Sequence, residues 1–244
     1  NNWFDMTYVD VDGDDSTFNS STANLTVPSG SDILFAGLYW GADRSGTNGR
    51  DAPDSDSMNK VKFKLPGSAS YLNLAADVFD ESSDRDYRYQ GFKNVTGLVA
   101  PLPNSGSGTY GVADVQAGKG PNRYAGWTLV IVYRNTAEPA RNLTVFDGLK
   151  TIRASDLPTD IPFSGFLTPP AGPVETDIAF VAWEGDQTLV GDSTSLNGNT
   201  LSDPQHPATN FFDSRISHDG VLYTDRNPAY PNALGMDAVR IKRR

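Results

Sequence analysis

The fold class of this chain is decided by residues 124–152, YAGWTLVIVYRNTAEPARNLTVFDGLKTI. The run from Trp127 to Tyr133 consists of β-branched, aromatic and other apolar residues, and it is too apolar for a strand with one solvent-exposed face. It predicts a strand covered on both faces at the centre of the protein. Polar residues and Pro139 interrupt the pattern, and the stretch from Leu143 to Gly148 resumes it, which predicts a neighbouring strand after a short loop.

The rest of the chain repeats this β pattern between turn residues. Two further apolar runs, Ser31 to Ala42 and Thr176 to Glu184, predict strands that are also buried on both faces. Lys60 to Leu65 alternates, with Val61, Phe63 and Leu65 on the inner face, and predicts a half-exposed strand near an edge. Thr188 to Leu201 predicts a hairpin that turns at Asn197-Gly198.

About ten short strands with no βαβ alternation predict an all-β chain, an antiparallel β-sandwich of jelly-roll type with long loops. No repeat of fixed period is visible, which excludes a solenoid or a propeller. We expect one domain over residues 1–244, in which residues 200–244 form a segment rich in loops, with isolated short strands.

The composition restricts which cellular location and which classes of partner are expected for this chain. The chain has 30 acidic and 20 basic residues, a net charge of -10, and no stripe of Lys and Arg that could neutralise phosphates, so nucleic acid is excluded as a partner. It has no Cys, and no apolar run is long enough for direct membrane insertion. Abundant Gly, Ser, Thr, Asn and Asp favour an extracellular location. Because the chain begins at Asn1 without Met or a signal peptide, we expect a piece of a longer precursor.

The densest acidic loop contains Asp10, Asp12, Asp14 and Asp15 around Gly13. Alternating carboxylates at a sharp turn supply the oxygen ligands that Ca²⁺ requires, so the loop is the first candidate for a calcium site. An EF-hand is excluded, because its twelfth position falls on Ser21 or Ala23 instead of Glu. The alternative is a solvated Asp/Gly turn between strands.

Two other acidic groups are candidates for a ligand loop or a second metal site. Asp51, Asp54 and Asp56 lie in a long polar loop, and Glu184 and Asp186 follow a predicted buried strand. Glycosidases also use a pair of carboxylates as their catalytic groups, but acidic residues at strand ends more often cap turns or bind cations.

Other chemistry has weaker support in the sequence. A serine hydrolase is disfavoured, because the chain has no Gly-x-Ser-x-Gly elbow and because its two histidines, His206 and His218, fall in loops rich in Pro and Asp, where we expect both on the surface. Sugar binding would use exposed aromatic platforms, for which the candidates are Trp3, Tyr87, Tyr89 and Tyr230.

Several strings of this sequence carry a resemblance to a known group of proteins. They include YVDVDGDDSTFNSSTANLTVP, ILFAGLYWGA, GTYGVADVQAG, RYAGWTLVIVYRN, RNLTVFDG, VAWEGD and NFFDSRIS. In that order they resemble the large N-terminal region of bacterial surface proteins, including adhesins, that continue into DUF11-like or other immunoglobulin-like repeats. The resemblance covers nearly the whole chain, and it implies a place on the cell surface without implying any catalytic residue.

Together these observations predict a non-enzymatic extracellular module for adhesion, stabilised by Ca²⁺, whose partner is a ligand on a cell surface or in a matrix, glycans included. A rival prediction is the protomer of a polymeric surface fibre, in which copies of the chain join by strand exchange, because the proteins it resembles usually continue with further strands. A carbohydrate-binding module or a glycan-active enzyme is the third alternative.

Overall fold

The computed structural model describes residues 4–45, 52–54, 57–82, 88–167 and 170–243. Most regular structure in these residues is β. The strands are β1 (Asp5–Met6), β2 (Ser20–Leu25), β3 (Asp32–Asp43), β4 (Lys60–Lys64), β5 (Leu72–Ala75), β6 (Val78–Glu81), β7 (Arg88–Asn94), β8 (Gly108–Ala113), β9 (Gly120–Pro121), β10 (Ala125–Arg134), β11 (Thr176–Trp183), β12 (Ser195–Leu196), β13 (Asn199–Thr200), β14 (Ile216–His218), β15 (Val221–Leu222), β16 (Arg226–Asn227) and β17 (Met236–Arg243). A short helix, α1, spans Thr96–Val99, and a 3-10 turn spans Asn104–Gly106.

The strands form three larger sheets. Sheet I has the antiparallel order β10-β3-β7-β6, and sheet II has the antiparallel order β16-β2-β8-β4-β5. Sheet III has the order β11-β17-β14-β15, in which β14 and β17 run parallel. Two short ribbons, β1 with β9 and β12 with β13, complete the pairing seen in the described residues. The all-β class with several antiparallel sheets is therefore confirmed.

Strand β3 lies inside sheet I and is buried from Ala36 to Asp43. On its inner face, Leu38 and Trp40 belong to a hydrophobic core that also contains buried residues of sheet II. On its outer face, a Cβ built on Gly41 would lie 2.9 Å from the indole ring of Trp183, so the end of β11 lies directly over this glycine. β3 is thus the strand that is covered from both sides.

The prediction that Trp127 to Tyr133 forms the central strand is wrong. This run forms β10, which is an edge strand that pairs with β3 alone, and its residues are half-buried instead of fully covered. One face of β10 packs into the shared core through Trp127 and Leu129, while Gly126 on the other face meets Met236 of sheet III. An apolar run indicates that both faces of a strand have apolar neighbours. It does not indicate whether a further strand pairs with each of its two edges.

The strand predicted at Leu143 to Gly148 is absent from the structure. The described residues between β10 and β11 form no helix or strand, and most of their side chains are exposed. The segment contacts sheet I where Gln90 Nε2 donates to the carbonyl of Gly148 (3.2 Å) and where the hydroxyls of Ser82 and Thr151 lie 2.9 Å apart. It therefore lies against sheet I without adding a strand to it.

Two local predictions are confirmed. Val61 and Phe63 are buried in β4 while Lys60 is exposed, although β4 lies between β5 and β8 and not at an edge. The hairpin of β12 and β13 turns at Asn197 and Gly198, which both have positive φ, as a two-residue hairpin turn of type I′ requires.

Two other strands differ from their predictions. β11 is present at Thr176–Trp183, but its residues alternate between exposed and half-buried, so it is not covered on both faces. The last segment, residues 200–244, contains an eight-residue strand, β17, which pairs with the whole of β11.

The close contact between Trp40 and Gly91 provides a test of the core. Trp40 is fully buried and its Nε1 donates to the carbonyl of Met58 (3.0 Å), while a Cβ on Gly91 would lie 2.4 Å from the indole ring. We expect Gly91→Ala to lower the free energy of unfolding by about 1–3 kcal/mol through overpacking, measured by urea denaturation. The control is Gly97→Ala in α1, where a Cβ would meet no atom within 4 Å and the fold should be unaffected or slightly stabilised. If Gly91→Ala and the unchanged chain have the same free energy of unfolding in urea, the packing of Trp40 against Gly91 is not tight.

Candidate functional site

The carboxylates of the acidic loop accept hydrogen bonds from the loop itself and from Ser20 and Tyr71 outside it. Asp12 Oδ1 accepts from the backbone N–H of Asp14 (2.9 Å) and from Thr17 Oγ1 (3.2 Å), and Asp12 Oδ2 accepts from the hydroxyl of Tyr71. Asp10 Oδ1 accepts from Ser20 Oγ (2.7 Å). These bonds hold the turn in shape and fasten it to the residues before β5.

Among the described residues, one group of three His, Cys, Asp or Glu side chains brings its ligand atoms within 4.8 Å of one another, and it is not this loop. Asp14 and Asp15 are exposed, and Asp14 Oδ1 accepts from the backbone N–H of Ser16 (2.9 Å). Calcium at Asp10, Asp12, Asp14 and Asp15 therefore stays a prediction from the sequence.

The structure describes some residues of the two other predicted acidic groups. Asp51 and Asp56 lie outside the described residues. Asp54 is exposed, and its backbone N–H donates to Gln116 Oε1 (2.8 Å). Glu184 and Asp186 follow β11, as expected. Asp186 is buried beside Asn210, whose Nδ2 donates to the Asp186 carbonyl (3.0 Å).

The structure contains a cluster of buried polar side chains that no pattern in the sequence predicted. His206, Asp213 and Asp237 are 0%, 3% and 0% exposed, and they form the group whose ligand atoms lie within 4.8 Å of one another. Asp237 Oδ1 accepts from the backbone N–H of Arg215 (2.9 Å), and Asp213 Oδ2 lies 3.1 Å from Arg215 Nη1. The remaining oxygens, Asp237 Oδ2 and Asp213 Oδ1, have no hydrogen-bond partner in the described structure.

Burial dominates the electrostatics of this cluster. It raises the pKa of Asp237 to about 7, an effect that nearby Asp213 and Asp192 reinforce and that backbone N–H groups of Arg215 and Ser214 oppose. Burial also raises the pKa of Asp213, against the opposing charge of Arg215. The arrangement concentrates negative charge where water is excluded, so it favours binding of a proton or a cation.

His206 is a core residue, so the prediction that both histidines lie on the surface is wrong for His206, although His218 is exposed. His206 Nδ1 lies 2.9 Å from the carbonyl oxygen of Phe211, which can only accept, so this nitrogen carries the proton. In the neutral imidazole, Nε2 then accepts from the hydroxyl of Ser217 (2.7 Å). Both ring nitrogens are thus engaged within the protein.

A cleft of about 590 Å³ opens along β10, between sheets I, II and III. Most of the side chains that line it are apolar and come from all three sheets, including Leu25, Tyr110, Val112, Trp127, Leu129, Ile131, Phe180 and Val239. Several of them belong to the shared core or pack against it. The core that sheets I and II share is therefore open on the side of β10.

Of the four aromatic residues predicted for a sugar platform, the structure describes Tyr89 and Tyr230, and only Tyr230 is exposed. Tyr89 is buried and its hydroxyl donates to the carbonyl of Gln116 (2.8 Å), whereas Tyr230 is exposed at the rim of the cleft. Trp3 and Tyr87 lie outside the described residues.

Comparison with protein-family models, with curated proteins and with solved structures found no match for this chain. Over the described ranges, none of the helical structure has the length and hydropathy needed to cross a bilayer.

The bond between Tyr71 and Asp12 can be tested through stability. Partial burial would raise the pKa of Asp12, but hydrogen bonds from Tyr71, Asp14 and Thr17 outweigh it and lower that pKa to about 2. Because the folded-state pKa is depressed, the stabilisation is present above the unfolded pKa near 3.9 and is lost as pH falls toward 2. We expect Tyr71→Phe to cost about 1–2 kcal/mol at pH 7 in the presence of chelator, and much less near pH 2, measured by urea denaturation. A cost that does not change with pH would contradict a role for the Asp12 charge.

Proposed function

We propose that this chain is a non-enzymatic module of the bacterial cell surface that serves adhesion by accepting an extended peptide segment of its partner along β10. In this proposal sheets I and II are the two layers of a jelly-roll β-sandwich, and the third sheet flanks its open side. The single observation that carries the proposal is the apolar cleft beside the edge strand.

The geometry of β10 suits the addition of a strand. It is ten residues long and pairs with β3 alone, and no backbone hydrogen bond joins residues 126–134 to any described residue outside sheet I. An exposed edge of this length leaves N–H and C=O groups available to an extended chain. Alternate side chains of the incoming segment would enter the cleft and supply specificity, while main-chain hydrogen bonds supply affinity.

The resemblance to surface proteins supports the extracellular and adhesive parts of the proposal, together with the acidic composition. The proposal assigns no reaction to Glu184 and Asp186; Asp186 is buried, its backbone N–H donates to the carbonyl of Phe212, and its carbonyl accepts from Asn210 Nδ2. Stabilisation by calcium at Asp10 to Asp15 remains part of the proposal.

The edge of β10 can be blocked with a charge. Val130 lines the cleft, and Val78 is 43% exposed on β6, the opposite edge of the same sheet. Val130→Lys should weaken binding to a panel of immobilised extended peptides with alternating apolar residues by at least about tenfold, because lysine on an edge opposes strand pairing. Val78→Lys is the matched control and should bind like the unchanged chain.

A glycan array tests the third alternative in parallel. If the chain binds glycans but no peptide of the panel, and Val130→Lys leaves that binding intact, the strand-accepting proposal fails and a carbohydrate-binding module replaces it. Equal loss of peptide binding in Val130→Lys and Val78→Lys would also contradict a site on β10.

A second candidate function, the protomer of a surface fibre, has one specific observation in its favour. Residues 142–147 have the composition of a strand, yet Leu143, Val145 and Phe146 are exposed and the segment pairs with no strand of the described structure. Such a segment on one copy could add to β10 of the next, and head-to-tail joining of this kind grows without closing. The N-terminal residues are less suited to this role, because Met6 is buried and β1 pairs with β9 of the same chain.

Self-association distinguishes this candidate. If copies join through residues 142–147, the chain should form oligomers that increase with concentration, and Val145→Lys should abolish them, as judged by light scattering and electron microscopy. Val174→Lys, at a similarly exposed valine nearer to β11, is the control. A chain that stays monomeric at high concentration in calcium would remove the fibre as a function.

A further inference from the structure

Three separate segments meet at the buried polar cluster next to sheet III. They are the loop after β11, the loop before β14, and the start of β17. The backbone N–H of Asp186 donates to the carbonyl of Phe212 (3.1 Å), and Ser214 Oγ donates to the carbonyl of Gly185 (2.5 Å). Asp237 at the start of β17 closes the group through its bond from Arg215. The cluster is therefore built from tertiary contacts.

Two buried oxygens in this cluster accept no hydrogen bond, although one of them, Asp213 Oδ1, lies 3.5 Å from His206 Nδ1, which bonds to the carbonyl of Phe211. Asp237 Oδ2 and Asp213 Oδ1 accept no hydrogen bond in the described structure, although both side chains are almost completely removed from solvent. The loop residue Asn210, which is bonded to Asp186, also has a buried Oδ1 without a partner. Such groups are unfavourable unless a ligand, an ion or water satisfies them, so they indicate a missing partner.

The balance of charge indicates the sign of that partner. Asp192 is held beside this pair, because its Oδ1 accepts from the backbone N–H of Phe212 (2.8 Å), the residue before Asp213, and its charge raises the pKa of both Asp213 and Asp237. Two basic side chains contact Asp213: Arg215 Nη1 lies 3.1 Å from Oδ2, and His206 Nδ1 lies 3.5 Å from Oδ1. Three carboxylates beside one guanidinium leave an excess of negative charge in a buried place, which a divalent cation would neutralise.

The available atoms indicate which kind of cation fits. His206 uses Nδ1–H on the Phe211 carbonyl and Nε2 on Ser217, so it offers no free lone pair to a metal. The donors that remain are carboxylate oxygens, and oxygen ligands suit Ca²⁺ better than Zn²⁺, which prefers nitrogen and sulfur. Gly185 allows the close approach, because a Cβ there would lie 2.0 Å from Asp237 Oδ2.

We infer that Asp213, Asp237 and Asp192 form a calcium-binding site that ties the loops after β11 and before β14 to the start of β17. The neighbouring residue of this site, Met236, lines the cleft and contacts β10 at Gly126. Bound calcium would therefore stabilise sheet III in its position against β10. This site is separate from the acidic loop at Asp10 to Asp15, and its existence does not depend on the partner that the cleft binds.

The test uses the full chain after removal of metals with chelator. Titration with CaCl₂ should give a binding heat in calorimetry, and calcium at about 100 times the dissociation constant should raise the melting temperature by about 5 °C or more. In Asp237→Asn and in Asp213→Asn the affinity for calcium should fall by at least about tenfold, because each removes one charged ligand. In chelator Asp237→Asn should melt at a higher temperature than the unchanged chain, because it removes repulsion among the carboxylates.

A variant in which Asp10, Asp12, Asp14 and Asp15 are all replaced by Asn separates the two regions. This variant should keep the calcium response of the Asp213 and Asp237 site. The inference is overturned if the unchanged chain shows no calcium heat and no shift in melting temperature, or if Asp237→Asn and Asp213→Asn respond to calcium like the unchanged chain. It is also overturned if ZnCl₂ binds more tightly than CaCl₂ and His206→Gln removes that binding, because the ligand set would then include the imidazole.

Discussion

A strand that is buried on both faces needs cover from two directions, and β3 imposes this requirement on the rest of the molecule. On the inner face, Leu38 and Trp40 are fully buried against sheet II, and complete burial of a side chain such as Leu38 contributes about 1.5–3 kcal/mol. On the outer face, Gly41 leaves room for Trp183, whose Nε1 donates to Gln90 Oε1 of β7 (3.2 Å). Sheet II and sheet III are thus both needed to cover one strand.

The cover on the outer face has a small core of its own. The buried apolar residues of the second cluster are Leu201, Phe211, Val239 and Ile241, and the polar cluster of His206, Asp213 and Asp237 lies beside them. Buried carboxylates oppose folding unless their oxygens are satisfied. The stability of sheet III therefore depends on how the charge of Asp213 and Asp237 is neutralised, and through Trp183 and Met236 that dependence extends to β3 and β10.

Strand β10 shows what happens where this cover is incomplete. It belongs to the same apolar ladder as β3, with Leu129 opposite Leu38, but no strand lies along its outer edge in the described structure. Its apolar side chains pack against the shared core and also line the cleft. Because one edge of β10 pairs with β3 and the other edge has no strand, the fold offers an edge to which an extended partner could bind, as we propose.

The sequence was sufficient to predict the β class, the inward phase of Val61 and Phe63, and the turn at Asn197-Gly198, because alternation of side chains and positive φ are local properties. It did not determine that β3 instead of β10 is the central strand, because an apolar run does not report which strand lies alongside it. The cluster of His206, Asp213 and Asp237 was likewise decided by the tertiary structure alone. His206 and Asp213 come from the loop before β14 and Asp237 comes from β17, with no spacing motif, and the apolar surroundings that bury them and raise the pKa of Asp237 form only when sheet III is assembled.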